Sequence, residues 1–91
     1  MIPPEIWGEI LQKLLDEKKF ELPMYWVSIG ANGAFLIGKY VQSVDGETLD
    51  CDLLAEGGKD FQLPINMMFV DPRGQAARVL IKGPGNVEYL G

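Results

Sequence analysis

The chain has no histidine, and its only cysteine is Cys51. Without histidine there is no His-based catalytic triad and no imidazole acid or base. The shortage of both residues also removes a Cys/His zinc site. A single thiol cannot form an internal disulfide, so nothing here calls for an oxidising compartment. Cations are scarce as well: eight Lys and Arg stand against thirteen Asp and Glu, a net charge of −5. A general polyanion-binding domain is normally strongly basic, so any nucleic-acid contact would need a local patch. No apolar run approaches the ~18 residues of a membrane span. The opening residues, with Pro3, Pro4 and Glu5, lack the basic start and apolar centre of a signal peptide. These absences predict a soluble, cytoplasmic, non-catalytic protein with no metal and no cofactor. Ninety-one residues amount to one small domain, and a hydrophobic content of 47% is that of a packed chain.

What is present falls into two textures. From Glu5 to Phe20 the apolar residues Ile6, Trp7, Ile10, Leu11, Leu14, Leu15 and Phe20 recur at helical spacing. Acidic residues lead that segment and Lys18 and Lys19 close it, in accord with the helix dipole. Pro23 ends the pattern, so the reading is one amphipathic helix over about 4–20. Beyond it the chain turns β-branched and aromatic, cut by glycine turns. Met24 to Ile29 and Ala34 to Ser43 read as strands joined at Asn32-Gly33, the strongest short hairpin signal. Asp45-Gly46 leads into a third strand, Thr48 to Ala55, and Gly57-Gly58 into a short fourth, Asp60 to Leu63. Ile65 to Val70 is nearly all apolar, so both of its faces want cover. Ala77 to Lys82 and Val87 to Leu90 close the chain around Gly83-Pro84-Gly85-Asn86. One helix followed by five or so short, strongly turned strands, with the last two segments as an extension, is the plan of a small barrel.

The segment Asn32-Gly33-Ala34-Phe35-Leu36-Ile37-Gly38-Lys39-Tyr40 has a turn glycine and a second glycine five residues later. Val44 to Leu49 follows as an acidic loop, and Phe61 to Pro72 as an apolar strand pair ending in proline. In these features the chain resembles the Sm-like (LSm) family over roughly residues 4 to 72. The resemblance implies an N-terminal helix capping a strongly bent, five-stranded SH3-like barrel at about 24–71, with residues 76–91 as a C-terminal β extension. A second placement sets the later motif at 79–90, with Lys82 as its basic residue and Asn86 as its asparagine. The family assembles as rings of five to seven subunits and binds single-stranded RNA. The implied subunit contact pairs Asp60 to Leu63 with Ile65 to Val70 of a neighbour, using Phe61, Leu63, Ile65, Met67, Met68 and Phe69.

The family's uridine pocket is largely missing. The loop aspartate comes one place late, at Asp45; Gly46 replaces the stacking residue, Thr48 the asparagine, and Leu63 the arginine. The candidate nucleic-acid contacts are therefore Asp45, Gly46, Thr48 and Asn66, with charge from Arg73, Arg78 and Lys82. Two functions are expected from this sequence. The first is a homo-oligomeric ring that binds single-stranded RNA or DNA through its phosphates with little base preference. The alternative is a structural oligomer that serves protein assembly without nucleic acid. The other acidic residues, Asp50 and Asp52, read as the solvated face of the third strand, opposite Leu49, Cys51 and Leu53. Cys51 reads as an inert core thiol.

Overall fold

Alternation of apolar and polar residues between glycine turns builds six strands, and all of them join one antiparallel sheet. They are β1 (Met24–Gly30), β2 (Phe35–Gln42), β3 (Leu49–Gly57), β4 (Ile65–Val70), β5 (Ala76–Gly83) and β6 (Asn86–Tyr89). The computed structural model describes residues 10, 13, 20–46, 49–58 and 60–91. The strand order is β3-β2-β1-β4-β5-β6, two three-stranded meanders joined where β1 pairs with β4. No helix among the described residues is long and apolar enough to cross a membrane.

The hairpin signals act as read. Gly33 and Gly46 both take positive φ, at 84° and 74°, which a residue with a Cβ adopts only at a cost. Gly33 N–H donates to the Gly30 carbonyl, and Gly46 N–H to that of Ser43. The fourth strand expected at 60–63 does not form. Residues 60–64 instead lie in the crossing from edge strand β3 past β2 and β1 to β4, three strand spacings or about 14 Å. That segment runs along the tip of the first hairpin. Ala31 N–H donates to the Gln62 carbonyl at 2.9 Å, and Asn32 Nδ2 to the Asp60 carbonyl at 2.8 Å.

Two further expectations are corrected. The sheet does not close into a five-stranded barrel: it stays open, with β3 at one edge and β6 at the other. Residues 76–91 are no extension either, because β5 pairs with β4 along its whole length and contributes Ala77, Val79 and Ile81 to the core. The other inner-face residues are Met24, Trp26 and Ser28 on β1, Leu36 and Tyr40 on β2, and Ile65, Met67 and Phe69 on β4. Ile10 is buried against this cluster, with Phe20, Leu22 and Phe61 packed around it. Of the helix expected over 4–20, the described residues are Ile10, Lys13 and Phe20; the remainder lies outside them. Ile10 is buried and Lys13 exposed.

A buried carboxylate fixes one end of the sheet. Asp71, 4% exposed, accepts backbone N–H groups from Arg73 and Gln75 through Oδ1 and from Glu21 through Oδ2, at 2.8–3.1 Å. It thereby ties the segment preceding β1 to the β4–β5 turn. Burial works to raise its pKa, but the N–H groups of Gln75, Glu21 and Arg73 and the Arg73 guanidinium outweigh it and hold it below the ordinary value. A lowered folded pKa stabilises the fold fully above the unfolded value of about 4 and ceases to do so as pH falls through the folded value. Asp71→Asn should therefore be less stable than wild type at pH 7 and should show a flatter loss of stability below pH 4. Urea melts at pH 7, 4 and 3 measure this; parallel acid profiles for the two proteins would contradict it.

Candidate interaction face

Because side chains alternate across a strand, the register that buries one face also defines the other. Three rows cross it. The first runs Asp52, Lys39, Tyr25, Val70 and Ala76; the second Ala55, Ile37, Val27, Met68 and Arg78; the third Gly57, Phe35, Ile29, Asn66 and Leu80. The middle of this face is apolar. Tyr25, Ile29, Phe35 and Met68 are exposed, and Val27, Ile37, Val70 and Leu80 are half-buried by one another. Phe35 lies flat over β3, where a Cβ on Gly57 would come within 2.2 Å of its ring. Lys39 Nζ sits 5.7 Å from the Tyr25 ring centroid, a cation–π distance.

The candidate nucleic-acid residues are dispersed. Asp45 and Gly46 form the β2–β3 turn, where Asp45 accepts from the Ser43 hydroxyl and the Gly46 carbonyl from Gln42 Nε2. Thr48 lies outside the described residues. Arg73 is in the β4–β5 turn at the same end, with Nε 3.5 Å from both Glu21 and Asp71 carboxylates. Lys82 is at the opposite end and bonds Glu88 at 2.8 Å. Asn66 and Arg78 come together on the outer face. Two of these three cations are thus held by carboxylates.

The residues expected at the subunit contact divide by face. Ile65, Met67 and Phe69 are core, Phe61 packs against it, Leu63 is exposed in the 60–64 crossing, and Met68 is exposed on the outer face. Both edges of β4 are bonded within the chain, to β1 and β5, so no neighbour can pair with it. The strand edges that remain open are those of β3 and β6. Every described side chain of β3 short of Gly57 is exposed, Leu53 and Leu54 included. A bulge opposite Ile37 and Gly38 leaves Leu54 without a partner.

Cys51 is corrected by the same edge position. It faces inward, opposite Tyr40, yet is exposed, because β3 is an edge strand and no strand among the described residues pairs beyond it. Partial desolvation and the neighbouring Asp52 raise its pKa against hydrogen bonds to Tyr40 and Trp26, so the thiol is a poor nucleophile. Ser28, on the inner face of β1, is fully enclosed. Among the described residues no three His, Cys, Asp or Glu side chains gather as a metal site.

The outer-face aromatics and aliphatics were missed by reading from alternation alone. Their signal is in the sequence: Tyr25, Val27 and Ile29 interleave with Met24, Trp26 and Ser28, and Phe35-Leu36-Ile37 is apolar throughout. A strand apolar at both parities is one that is covered on both faces. Comparison with known protein families, with curated proteins and with solved structures finds no match.

Proposed function

We propose that this domain is a non-catalytic assembly module that associates with protein through the outer face of its sheet. The contiguous apolar centre of that face, from Phe35 and Ile37 through Val27 and Ile29 to Met68, carries the reading. Four strands at about 4.8 Å and three rows at about 7 Å make roughly 400 Å² of surface. A patch of this size is about the largest that a typical monomer exposes, and such patches are often functional. The net charge of −5 and the carboxylates on Arg73 and Lys82 weigh against the alternative of a nucleic-acid surface.

Oligo(U), oligo(A) and single-stranded DNA titrated at low salt separate the two functions. No binding is expected at 50 mM salt up to tens of micromolar protein, where a phosphate-binding surface would be at its strongest. Salt-dependent binding that Arg78→Glu abolishes, with unchanged behaviour of Met68→Asp, would overturn the assembly reading.

A further inference from the structure

The two edges of the sheet are not alike. β6 is four residues long, and its Glu88 is tied to Lys82. β3 is nine residues long, and among the described residues no strand pairs beyond it. Asp50 to Glu56 are all exposed, so this edge is open to water. Alternate residues of an edge strand turn their N–H and C=O groups outward, where a further extended segment can bond to them.

The side chains of β3 state what such a segment must carry. Asp50 and Asp52, opposite Val41 and Lys39, belong to the outer face of the sheet. Cys51 and Leu53, opposite Tyr40 and Gly38, belong to the inner. Leu53 is 52% exposed although it continues the buried row of Trp26 and Gly38. The inner layer therefore ends on apolar groups in water, which apolar side chains on an added strand would cover. The outer parity asks for the opposite. Among the described residues no Lys or Arg forms an ion pair with Asp50 or Asp52, and Lys39 Nζ stands by the Tyr25 ring.

Lys or Arg placed across from the two aspartates would make cross-strand pairs of opposite charge. A second copy of β3 cannot supply them. Antiparallel pairing centred on residue 51 sets Asp50 against Asp52, and centring on residue 52 sets Asp52 against itself. Like charges directly opposed destabilise a ladder, so the edge rejects its own copy and favours a basic strand. The bulge after Leu53 limits the regular ladder to residues 49–53.

We infer that the free edge of β3 docks an extended segment of a partner protein, added to the sheet as a further strand. Lys or Arg of that segment faces Asp50 and Asp52, and the apolar residues between them lie beside Cys51 and Leu53. The ladder supplies affinity and the alternation supplies selectivity. This edge is a different surface from the apolar centre of the outer face, and its use does not depend on the assembly reading.

The probe is a peptide of about seven residues alternating lysine and valine, blocked at both ends and labelled for fluorescence anisotropy. It is titrated to about 1 mM at about 50 mM salt, where charge pairs are least screened. One control has the same composition in block order, and another has glutamate for lysine. The alternating peptide should bind about tenfold tighter than either, and should slow amide exchange at residues 50–53. Asp50→Lys combined with Asp52→Lys, at exposed positions that leave the fold intact, should reverse the preference to the glutamate peptide. Failure of the alternating peptide to bind, equal binding of the block-order control, or an unchanged preference in the double variant would overturn the inference. Met68→Asp should bind the peptide as wild type does. Loss of binding in that variant would move the peptide to the outer face, overturning the edge site while leaving the assembly reading in place.

Discussion

Gly38→Ala is expected to lower stability by about 2–3 kcal/mol, and Gly38→Val by more. The cause is a single approach: a Cβ on Gly38 would come within 2.2 Å of the Trp26 indole carbon Cζ2 and 2.4 Å of Cε2. Trp26 lies directly across from Gly38 in the β1–β2 ladder, is 1% exposed, and packs on Tyr40 with ring centroids 5.6 Å apart. The indole fills the space that a side chain at 38 would take, so it cannot yield without displacing Tyr40. A chain of this length has a total stability of about 5–14 kcal/mol at ~0.05–0.15 kcal/mol per residue. The midpoint of urea unfolding should fall by about 2 M for a slope near 1 kcal/mol per M. Tryptophan emission should shift as the ring is forced toward solvent. A variant with wild-type midpoint and emission would contradict the packing.

The second large effect comes from two adjacent residues with opposite fates. Phe69 is fully buried beside Trp26, its partner across the β1–β4 ladder, whereas Met68 is 41% exposed beside Val27. Phe69→Asp removes a large core side chain, worth about 3–5 kcal/mol, and puts a carboxylate in its place. That sum consumes most of the stability, and the chain should be unfolded by circular dichroism. Met68→Asp exposes its charge to water on the outer face and should leave the fold intact. What it should lose is association. The same residue change one position apart therefore separates core from interface, and a one-residue error in register would exchange the two results.

Much of the local structure was legible before the fold was seen. The Asn32-Gly33 and Asp45-Gly46 turns occur where backbone sterics require glycine. Ile65–Val70 was bounded correctly by Pro64 on one side and Asp71-Pro72 on the other. The strand order was not legible. Pairing of β1 with β4 joins residues some forty positions apart, and no local pattern encodes which distant ladder closes. The open sheet followed from the same gap: two three-stranded meanders can share a central pair without their outer strands meeting. Reading 60–63 as a strand failed because those residues serve as a crossing, bonded to the hairpin tip and not to a ladder.

The candidate site was legible in part. Met68 was singled out, but together with Phe69 and Met67, since an all-apolar strand does not say which parity faces inward. Arg73 and Lys82 looked available as scattered cations; their partners Glu21, Asp71 and Glu88 became visible only when the chain was folded. Cys51 had its direction assigned correctly and its burial assigned wrongly, because burial depends on what lies beyond the edge strand.

The central claim is that one face of the sheet is a core and the other an interface. Urea unfolding of Met68→Asp and Phe69→Asp beside wild type tests it most directly, with near-ultraviolet circular dichroism to report on the Trp26 environment. Met68, 41% exposed, should accept the carboxylate with the wild-type aromatic spectrum and a midpoint within about 0.5 M of wild type, whereas Phe69→Asp should be unfolded without denaturant. Equal losses for the two variants, or a Met68→Asp that unfolds while Phe69→Asp does not, would contradict the account.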